Sequence, residues 1–96
     1  MTSNKLILPI VVAGLLAATS SSLAAEREFC RDYATAALRQ VRVARDIDDC
    51  LDRDARESTR WSRDYRVHFD WCRGVSRDAA DAERDVRTDR VRECRR

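Results

Sequence analysis

The side chains of this chain that could do chemistry gather in one short stretch. Trp61, Tyr65, His68, Phe69, Trp71 and Cys72 follow one another closely. At about 100° per residue, Trp61, Tyr65, His68 and Cys72 share one narrow helical face, with Phe69 and Trp71 at its edges. Such a cluster has two uses. It can supply volume to a core otherwise made of alanine. It can also line a shallow cleft, with Trp61, Tyr65 and Trp71 as flat walls and His68, Arg63 or Arg66 as polar contacts. Aromatic faces beside hydrogen-bonding groups suit sugars or peptide segments. The aromatic arc spans roughly 160°, too wide to bury against one neighbour, so part of it is expected at the surface. Trp61, Tyr65, His68 and Trp71 are therefore the candidate ligand-binding residues.

Catalysis has little to work with. His68 is the sole histidine, and a nucleophilic triad would need an activated serine or a free thiol beside it. The acidic stretch Asp46, Asp48, Asp49, Asp52 and Asp54 lacks the glycine that a calcium loop needs at its sixth position. It reads as a solvated turn with helix-capping aspartates. The many other carboxylates show no buried acid pair of the glycosidase kind. The sequence predicts no catalytic residue, no metal and no cofactor.

The four cysteines, Cys30, Cys50, Cys72 and Cys94, lie far apart. Zinc ligands come in close pairs such as C-x2-C, and none is present. An even count in a short exported chain predicts two disulfides. Export is expected from the first residues. Lys5 gives a positive start, Leu6 to Ala18 is apolar, and Ser22-Leu23-Ala24 suits a signal peptidase. The apolar run, about 13 residues, falls short of the roughly 20 of a bilayer span. The expected layout is a signal peptide over residues 1–24 and a domain over residues 25–96. That domain would be periplasmic or secreted, with no stable membrane insertion after cleavage.

Lys5 is the one lysine, so arginine alone faces the 17 acidic residues in the mature part. Acids and arginines alternate, as in Glu83-Arg84-Asp85, and leave no one-signed patch for nucleic acid. Such charges predict a self-paired surface, with Glu83 and Arg87 as an i,i+4 ion pair.

A domain of about 72 residues has room for only a small core and needs staples. Strand signals are missing, and within residues 25–96 there is no proline and the one glycine is Gly74. Helix is expected from Glu28 to Ile47, with Cys30, Ala34, Ala37, Leu38, Val41 and Ala44 as its apolar stripe and Tyr33 on the flank. A second helix is expected from Arg77 to Glu93, capped by Ser76, with a thin stripe of Val75, Ala79, Ala82 and Val86. Between them the helix signal concentrates at Ser62–Cys72, with Ser62 as cap, and is weaker over Leu51–Trp61. The fold class is all-α: three helical segments, stapled by disulfides. A helix of about 20 residues spans about 30 Å, so Cys30 cannot reach Cys50, nor Cys72 reach Cys94. Two pairings survive. An up-down-up order gives Cys30–Cys72 with Cys50–Cys94, and is favoured because three packed helices bury more. A two-helix hairpin gives Cys30–Cys94 with Cys50–Cys72.

The pattern Cys30-x-x-Tyr33-Ala34-x-x-Ala37, Cys50, Trp61-Ser62-x-x-Tyr65-x-x-His68-x-x-Trp71-Cys72, Gly74 and Cys94 resembles small exported bacterial four-cysteine proteins of unknown function. Such proteins often carry glycines and a proline after the second cysteine, where this chain has Leu51-Asp52-Arg53-Asp54. The resemblance implies export and a shared fold. The expected role is a non-enzymatic binding or envelope-associated module, with an envelope glycan or protein as partner. The alternative is a small secreted inhibitor or toxin-like effector.

Overall fold

The computed structural model describes the backbone of residues 3–96 and the side chains of residues 23–96. The expected signal segment therefore lies almost wholly outside the residues whose side chains are described. Helix α1 spans Ser3–Asp46, α2 Arg53–Glu57, α3 Tyr65–Arg73 and α4 Arg77–Cys94, with a 3-10 turn at Thr59–Trp61 between α2 and α3. No strand occurs among the described residues.

Each helix start has a local cause. Asp52 caps α2 by accepting from the Ala55 amide at 2.8 Å, and Ser76 caps α4 by accepting from the Ala79 amide at 3.1 Å. The cap of α3 differs from expectation. Asp64, not Ser62, accepts from the Arg66 amide at 2.9 Å. Ser62 is held outside the helix, its hydroxyl taken by the Asp64 amide at 3.0 Å. The turn after α1 contains no glycine, so Asp49 takes the left-handed conformation (φ 63°), which aspartate tolerates better than most residues.

Contacts along α1 and α4 rise in step. Arg77 meets Glu26, Arg87 meets Tyr33 and then Gln40, and Arg90 meets Cys50. The two helices are therefore parallel, and the chain between them must descend: up, down, up. The disulfides are Cys30–Cys72 and Cys50–Cys94, with Cα atoms 5.6 and 5.3 Å apart. The descending segment is three pieces rather than one helix. Arg45 holds the break between them, donating to the Trp61 and Arg56 carbonyls, each at 2.8 Å. Main-chain carbonyls that a continuous helix would satisfy internally are satisfied here by a guanidinium.

Two small apolar clusters form, one at each disulfide. Cys30, Tyr33, Cys72 and Ala80 make one. Val41, Ala44, Cys50, Leu51, Trp61 and Val91 make the other. The stripe on α1 is buried as expected, except that Leu38 is half-buried and Tyr33 lies fully inside. The stripe expected on α4 is wrong. Ala79, Ala82 and Val86 face outward, and the inner face is Ala80, Arg87 and Val91. An arginine with no exposed surface stands at the centre of that face. Apolar periodicity cannot register a charged residue as interior, so the predicted face was rotated away from the true one.

Candidate functional site

Helix α1 carries the packing of both α3 and α4, which hardly touch each other. A cleft of about 200 Å³ opens in the gap between them. Tyr33 of α1 is its floor. Val67, His68 and Trp71 come from α3, Thr59 and Arg60 from the 3-10 turn, and Glu83 from α4. The cleft exists because α3 is short and held at its far end by Cys72. It is bridged on one side by the ion pair Arg60–Glu83 at 2.9 Å.

Behind the floor lies a buried polar layer. Arg87 donates from Nη2 to Tyr33 Oη at 2.6 Å, from Nε to Gln40 Oε1 at 3.1 Å, and from Nη1 to the Glu83 carbonyl at 3.5 Å. Its guanidinium also stands 5.0 Å from the centre of the Tyr33 ring, a cation–π distance. Gln40 in turn donates to Thr88 Oγ1 at 2.7 Å and to the Arg84 carbonyl at 3.2 Å. The expected ion pair between Glu83 and Arg87 does not form. The Glu83 carboxylate turns to Arg60, and Arg87 meets only the main chain of Glu83. Burial lowers the pKa of Arg87, with Tyr33 and Glu83 opposing the shift. Burial likewise raises that of Tyr33, against the pull of the Arg87 charge.

His68 is almost fully buried. Its Nε2 lies 2.7 Å from the Ser62 carbonyl. A carbonyl only accepts, so Nε2 carries the proton and Nδ1 of the neutral ring is an acceptor. Burial holds the imidazole below its ordinary value, outweighing the Ser62 bond that pulls the other way.

The four candidate residues part company here. His68 and Trp71 line the cleft, and Trp71 is 40 % exposed with its ring 5.6 Å from that of Tyr33. Trp61 lies outside α3, in the 3-10 turn, and is buried in the apolar cluster around Cys50. Tyr65 opens α3 and stacks on Phe69, with ring centroids 5.9 Å apart, away from the cleft. The shared face fails because the helix begins at Tyr65, so helical spacing does not extend back to Trp61. Sequence reasoning missed Tyr33, Arg60, Glu83 and Arg87. Tyr33 was legible as a large ring inside an alanine stripe, whereas nothing separates Arg60, Glu83 and Arg87 from the other charges of the chain.

Fold and site together define a disulfide-stapled helical domain with a partly aromatic cleft, and its disulfides belong to an oxidising compartment. Comparison with protein-family models, curated proteins and solved structures finds no match. Among the described residues no helix is long and apolar enough to cross a membrane.

Proposed function

We propose that the chain is a non-enzymatic binding module of the periplasm or the secreted space, and that the cleft between α3 and α4 holds its ligand. The observation that carries this reading is Trp71. A tryptophan costs stability when left in water, yet this one lies 40 % exposed over a preformed cleft, braced by the buried Tyr33. His68 fits a binding role better than a catalytic one, since its Nε2 proton is committed to the Ser62 carbonyl. The cleft suits an envelope glycan fragment or a short polar segment of similar size.

On this reading a signal peptide over residues 1–24 is removed, and the pair between Glu26 and Arg77 at 3.1 Å lies within the domain that remains.

Titrating the 15N-labelled, oxidised domain with a muramidase digest of cell-wall glycan tests the reading. The Trp71 indole and the Val67 and His68 amides should shift together, and Trp71→Ala should abolish the response. Shifts confined to other surfaces, or none, would contradict it.

A further inference from the structure

The buried layer behind the cleft says what kind of ligand the cleft is made for, on the reading that it is a binding site. Arg87 is fully buried, yet all three of its hydrogen bonds go to neutral acceptors: a phenol, a side-chain amide and a main-chain carbonyl. A buried cation is stable when a counter-charge or a full set of acceptors compensates it. Glu83 is paired with Arg60 and also acts on Arg87. Among the groups that line the cleft and its floor one carboxylate therefore serves two guanidiniums, which leaves a net positive charge.

Tyr33 conveys that charge to the cleft. Its oxygen accepts from Arg87 at 2.6 Å, which leaves the hydroxyl proton to be donated. Among the described residues no acceptor takes it. Arg60, half-exposed at the rim, supplies further donors. An anionic oxygen placed between Tyr33 Oη and Arg60 would receive charge-assisted hydrogen bonds from two sides. The remainder of the site is the face of Trp71, the methyl groups of Val67 and the edge of His68. At about 200 Å³ the space is smaller than the roughly 300–1,000 Å³ of drug-sized pockets. It fits a single ring lying on the indole.

We infer that the cleft takes an acidic sugar unit, with the ring on Trp71 and the carboxylate between Tyr33 Oη and Arg60. The ligand supplies a second carboxylate to the two guanidiniums, Arg60 and Arg87, that share Glu83.

The test uses two acid–neutral pairs, D-glucuronate with D-glucose and N-acetylmuramate with N-acetylglucosamine, titrated by NMR into the oxidised domain. At least one acid should move the Trp71 and His68 signals with an affinity roughly tenfold or more above its neutral partner. Arg60→Gln, which also breaks the pair with Glu83, should erase most of that difference. Tyr33→Phe should do the same, with folding checked by circular dichroism. Equal affinity for acid and neutral sugar would overturn the inference while leaving the cleft a binding site. Failure of both acids to move the cleft signals would overturn it as well, and the glycan digest then decides the wider reading separately.

Discussion

Arg87 is the residue on which the interior turns. Its side chain bonds α4 to Tyr33 and Gln40 of α1 and fills the gap between the two apolar clusters. Removing it leaves the Tyr33 hydroxyl and the Gln40 amide without their donor and opens a cavity. Arg87→Ala should cost about 3 kcal/mol or more, against about 1 kcal/mol for Tyr33→Phe. In a double-mutant cycle by urea denaturation the two should be strongly non-additive, because Tyr33→Phe removes a group that Arg87→Ala has already stranded. Additive losses would mean that the 2.6 Å bond contributes nothing. His68 gives this interior a pH dependence. Burial holds its imidazole below the ordinary value of 6.5. Above that value the ring is neutral in both folded and unfolded chains and contributes nothing. As pH falls through it, the unfolded chain takes up the proton first, and stability declines until the lower folded value is passed. The wild type should therefore lose more melting temperature between pH 7.5 and pH 5 than His68→Gln, which keeps a donor for the Ser62 carbonyl. Equal losses would place the titration elsewhere.

At the scale of elements, the sequence was read best where local chemistry decides. The Ser76 cap and the alanine stripe of α1 rest on chemistry that acts within a few residues, and both came out as expected, although α1 runs back to Ser3 rather than starting at Glu28. The α4 face did not, because its interior position is set by an acceptor supplied from Tyr33, which is remote in sequence. The descending segment was half legible. The aromatic run announced α3, but the break at Ser58–Asp64 depends on Arg45 reaching across from α1. The cleft follows from that break: a continuous helix would carry Trp61 on the face of His68 and close the gap that Thr59 and Arg60 now line. Arg45→Ala should free the Trp61 and Arg56 carbonyls. Hydrogen exchange should then quicken over residues 55–62 while α4 stays protected. Uniform quickening along the chain would show that Arg45 stabilises the whole domain rather than this segment.

The whole molecule is two clusters of few residues, each built on a disulfide, with a polar layer between them. Neither cluster is large enough to hold three helices by apolar burial alone. The crosslinks, roughly 2–4 kcal/mol each, are a large part of the 5–15 kcal/mol that a domain usually has. The spacing of the cysteines made the pairing readable down to two choices, and packing of the descending segment along α1 selects between them. Some of the arginines serve this architecture: Arg45, Arg56, Arg87 and Arg90 all donate to main-chain carbonyls. That is a use which charge counting, with its expectation of self-paired ions, does not reveal. Far-UV circular dichroism of the purified domain, residues 25–96, melted with and without a strong phosphine reductant, probes the covalent framework at its root. The oxidised domain should melt in one cooperative transition. The reduced one should lose most of its helicity at room temperature. A reduced protein that keeps its ellipticity and melts at the same temperature would show that the cysteines are incidental to the fold, and with it to the cleft.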